Sequence, residues 1–143
     1  MLGCKVLVKC LLAASLQNQV PPEALLAIME VEGGRSGLEV KNANGSFDMG
    51  LMQINSCWLP EVAQKWNITQ KKARSLLKED DCFNLWVAAF ILKTKIREGS
   101  GSLLQGIARY NNANPEYGHP YRDKVIHAYQ RQEQKRRKHG AVS

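Results

Sequence analysis

The sequence predicts a mainly α domain packed around one buried central helix. Three observations carry this. Residues 83–97 are apolar nearly all round. At roughly 100° per residue, Phe83, Trp86, Val87 and Phe90 take one side, and Leu85, Ala89, Leu92 and Ile96 take much of the other. A helix with no polar face belongs inside. The remaining apolar spacings along the chain are helical as well. No run of alternating β-branched residues asks for a sheet larger than a small hairpin.

The elements follow in order. A short apolar helix is predicted at 10–16. The stretch 1–16 has the outline of a signal peptide, but Lys9 interrupts its apolar run, which assigns the segment to the folded domain. Pro21-Pro22 opens a second helix, since proline suits the first turn. It runs to Glu32, where Gly33-Gly34 stops it. A turn-rich loop, Asn42-Ala43-Asn44-Gly45-Ser46, leads into a segment from Asp48 to Asn55. Ser56 is expected to cap a short helix from about Trp58, Thr69 another through Lys78, and Asp81 the central helix. Gly99-Ser100-Gly101 ends the central helix, and Ser102 caps 103–110. With two prolines and three asparagines, 111–120 reads as a loop. The last helix starts near Tyr121 with an apolar face of Tyr121, Val125, Ala128 and Tyr129, and frays after Gln130. This divides the chain into a domain at 1–129 and a basic, flexible tail at 130–143.

Composition agrees. A chain of 143 residues makes one domain, and 44% hydrophobic with 23% charged residues excludes wholesale disorder and low-complexity architectures. There is no internal repeat, and no run of about 18 apolar residues that would span a membrane. The net charge of +7 is uneven: from Tyr129 onward five bases face one acid, which leaves 15 bases and 12 acids elsewhere. A mildly basic body with a basic end does not point to nucleic acid, since any polyanion would attract it. The four cysteines, Cys4, Cys10, Cys57 and Cys82, include no Cys-x-x-C, so no metal site is expected. An even count fits one or two disulfides in an oxidising compartment, with three pairings open.

Glu32 is the candidate for chemistry. It falls within the apolar arc set by Leu25, Ile28 and Met29, whereas Glu23 and Glu30 project roughly 160° away. It also closes a helix, where the macrodipole disfavours negative charge. Burial acts in the same direction, so both effects raise its pKa. A carboxylic acid kept protonated near neutral pH is what protonation of a glycosidic oxygen requires. The alternatives are a carboxylate reaching solvent at the helix end, or one capped by Arg35. Downstream, Gly50 permits close backbone approach to a ligand. Gln53 and Asn55 offer donors and acceptors for sugar hydroxyls and acetamido groups, and Met52 an adaptable apolar surface for a sugar face.

Three elements in order carry a resemblance. They are Ala27-Ile28-Met29-Glu30-Val31-Glu32-Gly33-Gly34, then Gly50-Leu51-Met52-Gln53-Ile54-Asn55, then Tyr110-Asn111. Over roughly residues 10–129 the chain resembles the soluble lytic transglycosylase domain, which implies a goose-lysozyme-like fold. Asn44-Gly45-Ser46-Phe47-Asp48-Met49-Gly50, Asn55-Ser56-Cys57-Trp58-Leu59-Pro60 and Asp81-Cys82-Phe83-Asn84 look like the small specialised members of type IV secretion, conjugation and pilus machineries.

The resemblance implies that Glu32 is the single catalytic acid/base. It implies that Gly50, Leu51, Met52 and Gln53 form the substrate-cleft motif. It gives Tyr110 the task of hydrogen-bonding and orienting the catalytic carboxylate, and Asn111 that of fixing the local backbone. It pairs Cys10 with Cys82 and leaves Cys4 and Cys57 as a second pair or free. Peptidoglycan glycan strands are the implied substrate and apparatus subunits the implied partners. No cofactor is implied, and a periplasmic monomer is expected. The chain departs from the family pattern in three ways: Gly33 replaces the usual serine after the catalytic glutamate, Asn112-Ala113-Asn114-Pro115 replaces Ala-Gly after Tyr-Asn, and the usual export signal is not evident. Asp48 is the one nearby carboxylate that a lysozyme-like hydrolase could use, and is expected to be a turn residue bonding local amides. A non-enzymatic, wall-binding scaffold role is the competing class.

Overall fold

A computed structural model describes residues 3–141. The described residues form seven α-helices: α1 (Cys4–Asn18), α2 (Pro22–Glu32), α3 (Leu59–Trp66), α4 (Gln70–Glu79), α5 (Asp81–Glu98), α6 (Leu103–Asn111) and α7 (Pro115–Ala141). Between α2 and α3 lies a three-stranded antiparallel sheet, β1 (Glu39–Lys41), β2 (Phe47–Met49) and β3 (Ile54–Asn55). Its register places Val40 opposite Asp48, and Asp48 opposite Asn55.

The central helix is α5, as its all-round apolar pattern requires. Leu85, Val87, Ala88, Ala89, Ile91 and Leu92 are buried along it, with α1 and α6 packed against it. Cys10 of α1 and Cys82 of α5 form a disulfide with a Cα–Cα separation of 5.4 Å, while Cys4 and Cys57 are free and exposed. No helix among the described residues is long and apolar enough to cross a membrane.

Several boundaries differ from the sequence reading, each for a local reason. Helix α1 begins at Cys4, because Lys9 projects to solvent and does not interrupt the buried stripe of Cys10, Leu11 and Ala14. Asp80, not Asp81, caps α5 by accepting from the Phe83 N–H at 3.0 Å. Ser56 caps nothing. Its hydroxyl accepts from the Phe47 N–H and ties β2 to the segment after β3, and Asn55 caps the short 3₁₀ turn Ser56–Trp58. Thr69 and Ser102 do cap α4 and α6.

The largest correction is at the C-terminal end. The predicted 111–120 loop shrinks to three residues, because Pro115 occupies the first position of α7 and Asn114 accepts from the Glu116 N–H. The helix tolerates Pro120 in its second turn. It does not fray after Gln130 but continues to Ala141. Contacts hold it there: Arg131 pairs with Glu30, Gln132 donates to the Leu26 carbonyl, and Glu133 accepts from Arg136. Of the expected apolar face, Tyr121, Val125 and Ala128 are buried, but Tyr129 stands exposed.

Candidate active site

Helix α2 carries Glu32 on its last turn. Leu25 and Ile28 of the same stripe are fully buried, so the carboxyl is aimed inward at the point where α2 ends. Gly33 ends it in the left-handed conformation (φ 64°), donating to the Met29 carbonyl. Glu32 is half-buried at the edge of a cleft of about 490 Å³. Burial pushes its pKa up. The Tyr121 hydroxyl, which donates to Glu32 Oε1 at 2.7 Å, pulls it back in part, and the charge of Asp48 pushes it up again. The net direction is upward, as the position in the stripe requires.

The hydrogen-bond partner is Tyr121 of α7, not Tyr110 and not Arg35. This corrects the role that the resemblance gave to Tyr110. The two tyrosine rings lie nearly parallel (15°), with centroids 6.4 Å apart. The Tyr110 hydroxyl is buried beside the cleft without a hydrogen-bond partner among the described residues. Burial, and after it the Glu32 charge, raises the pKa of both phenols, so both stay protonated. Tyr121 escaped the sequence reading because its spacing with Val125 and Ala128 marked it as core, and a buried tyrosine serves both purposes.

The opposite wall is polar. Asn55 Nδ2 donates to Asp48 Oδ1 at 2.9 Å and to Ser46 Oγ at 3.0 Å. Ser46 Oγ in turn donates to Asn44 Oδ1 and accepts from Asn42 Nδ2. Asp48 is therefore a strand residue held by a side-chain amide, not a turn residue bonding main-chain amides. Asn42, Asn44, Ser46, Asp48, Gln53 and Asn55 all line the cleft. Trp58 and Ile91 supply its apolar surface, with Tyr110 and Asn111 at the end of α6. The density of asparagine and serine before Gly50 was the signal for this wall.

Gly50, Leu51 and Met52 lie behind the cleft rather than along it. Met52 is fully buried and packs in the core, so it presents no face to a ligand. Leu51 is half-buried against the same core. Gly50 (φ 72°) does permit a close approach, but to protein: a Cβ there would run into the Leu77 carbonyl oxygen and the Asn84 amide. Asn84 is wholly buried, donates to the Met49 and Leu77 carbonyls at 3.0 and 2.7 Å, and accepts from the Met52 N–H at 2.8 Å. The motif is thus clasped from below by α5. Gln53 turns the chain (φ 52°) and donates to the Gly50 carbonyl.

With that geometry in place, the comparison with known families is decisive. The family model of the transglycosylase SLT domain matches residues 9–135. The chain belongs to this family. Invasion protein IagB of Salmonella typhimurium and of Salmonella typhi is 34% identical to it over 89 residues, 62% of this chain and 52% of theirs. The chain therefore spans about half the length of the curated relatives it matches. As a transglycosylase SLT domain it has a mainly α, lysozyme-like fold. The match includes Tyr121 and passes beyond Gln130 into the end of α7.

Proposed function

We propose that the chain is a peptidoglycan lytic transglycosylase with Glu32 as its sole acid/base. The observation that carries this reading is the half-buried Glu32 carboxyl, its pKa raised, facing a polar cleft and held by Tyr121. Protonated Glu32 donates its proton to the oxygen of the β-1,4 bond between N-acetylmuramic acid and N-acetylglucosamine. The bond breaks, and the N-acetylglucosamine end leaves as the alcohol. The Glu32 carboxylate then takes the proton of the muramic acid C6 hydroxyl. That oxygen closes on C1 to give the 1,6-anhydro ring, so no water is consumed and Glu32 ends protonated. Tyr121 holds the carboxyl through both steps and stabilises the intermediate anion.

The asparagine, serine and glutamine wall fits sugar hydroxyls and acetamido groups. Gly50, Leu51 and Met52 hold that wall from behind, while Gln53, Asn55, Tyr110 and Asn111 face the strand. An extracytoplasmic, periplasmic site of action follows from the substrate and accords with the disulfide. The segments shared with the small specialised members support a role in opening the wall locally for a type IV secretion, conjugation or pilus apparatus, with its subunits as partners. The Salmonella relatives are invasion proteins by name.

One observation favours a second reading. Asp48 faces the same cleft and acts electrostatically on Glu32, which supplies the second carboxylate that a lysozyme-like hydrolase needs. Mass spectrometry of purified peptidoglycan digested by the wild type and by Glu32→Gln decides between them. Anhydro-muropeptides from the wild type alone establish the transglycosylase. Reducing-end products establish a lysozyme-like hydrolase with Asp48 as second carboxylate. No products from a folded wild type would leave a wall-binding scaffold.

A further inference from the structure

Away from the cleft, a second cavity of about 300 Å³ lies where α1 and α3 end against α5. It is lined by Gln17 and Asn18, the last two residues of α1, by Lys65 and Trp66, the last two of α3, and by Trp86 and Lys93 of α5. None of these lines the Glu32 cleft. The two sites also differ in charge. Glu32 and Asp48 are the charged residues lining the cleft, whereas the second cavity has two lysines and no carboxylate. Among the described residues neither lysine forms an ion pair. The lining is held in place. Trp66 packs edge-to-face with Phe83 and Phe90, with ring centroids 5.4 and 5.7 Å away. The Lys65 ammonium lies 4.8 Å from the centre of the Phe90 ring and 5.5 Å from that of Trp66. Asn18 is buried, and its Nδ2 donates to the Ala14 carbonyl at 2.9 Å. Trp66, Trp86 and Lys93 are half-buried, so each keeps an open face.

We propose that this cavity binds an acidic sugar unit of peptidoglycan, N-acetylmuramic acid, outside the catalytic cleft and with its carboxylate on Lys65 and Lys93. The choice of polymer rests on the lytic transglycosylase reading, and the ligand chemistry rests on the cavity. Its volume is at the small end for ligand sites and admits one sugar ring with its substituents. Indole faces take the apolar C–H face of such a ring. The side-chain amides of Gln17 and Asn18 suit hydroxyl and acetamido groups. The ends of α1 and α3 add main-chain carbonyls that no helical N–H reaches, and these accept from hydroxyls. Two helix C-termini disfavour a bare anion. The lysines therefore select a ligand that carries both hydroxyls and a carboxylate.

The chain has three tryptophans, and the third, Trp58, lines the cleft. The three indole N–H resonances therefore report both sites at once. The full chain is titrated with N-acetylmuramic acid, with N-acetylglucosamine and with acetate. N-acetylmuramic acid is expected to give saturable shifts at Trp66 and Trp86. N-acetylglucosamine, which lacks the carboxylate, is expected to bind there about fivefold or more weakly, and acetate to give no saturable shift. Lys65→Gln/Lys93→Gln, with its fold checked by the amide spectrum, is expected to lose the preference between the two sugars while Trp58 responds as before. The proposal is overturned if Trp58 alone responds, if the two sugars bind the wild type equally, if acetate reproduces the shifts, or if the double variant keeps the preference. The readout is binding and does not involve Glu32. Absence of muropeptide release would sink the catalytic reading and leave these shifts in place, whereas absence of the shifts would sink this site and leave catalysis in place.

Discussion

The two walls of the cleft are built on different physics. One is helical, with Glu32, Tyr110 and Tyr121 brought from α2, α6 and α7, and its groups are half-buried or buried with few polar partners. The other is the sheet wall, where Asn42, Asn44, Ser46, Asp48 and Asn55 bond one another in a continuous network. Sparse hydrogen bonding and burial shift protonation equilibria, whereas dense hydrogen bonding fixes orientation. The first wall is suited to moving a proton and the second to holding a ligand still.

Substitutions separate the two roles. Glu32→Gln is expected to have the largest effect, lowering the rate of muropeptide release by about 10³-fold or more. The same change should stabilise the fold. With its pKa raised by burial, Glu32 contributes stability while protonated and loses it as pH rises through the raised value. At neutral pH the variant should therefore melt higher by roughly 2–4 °C, with the gap closing below about pH 4, as calorimetry across pH would show.

Asn84→Ala comes next. It removes the clasp beneath the sheet wall and leaves buried Met49, Leu77 and Met52 main-chain groups unpaired, a cost of about 3 kcal/mol in denaturant unfolding. Tyr121→Phe should slow turnover about tenfold through the lost orienting hydrogen bond. Because that bond favours the charged carboxylate, its loss raises the Glu32 pKa further, and the alkaline limb of the pH–rate profile moves up.

Asp48→Asn should move that limb the opposite way by less than about one pH unit, since it deletes the charge that pushes Glu32 up. An abolished rate there would instead identify Asp48 as the second catalytic carboxylate of a hydrolase. Tyr110→Phe should change stability least, within about 0.5 kcal/mol, because its hydroxyl has no partner to lose. A large loss of activity in that variant would show that the hydroxyl meets the substrate.

The contrast between the walls also explains how much was legible in the sequence. The sheet wall occupies one continuous stretch from Asn42 to Trp58, so its residue types could be read side by side. The α5 core was legible for the same reason, from local periodicity. The helical wall is assembled from positions 32, 110 and 121, and periodicity along one helix does not reveal what another helix brings. Glu32 was found because its own helix marks it as out of place. Tyr121 was not, because a tyrosine on a buried stripe breaks no rule. Met52 erred in the other direction, since an apolar residue inside a motif reads as ligand surface until the fold places it in the core. At the C-terminal end, the tertiary contacts of Arg131 and Gln132 with α2 extend a helix that its own composition would let fray.

Glu32 and Asp48 each stand two residues before a glycine, Gly34 and Gly50, and at those glycines the main chains meet. A side chain at Gly34 would strike the Gly50 and Leu51 carbonyls. The span between the two carboxylates is thus gauged by backbone against backbone, with no side chain in between whose size could be altered. Over evolutionary time, mutation can redecorate this cleft and change what it recognises, but its calibre is inherited whole.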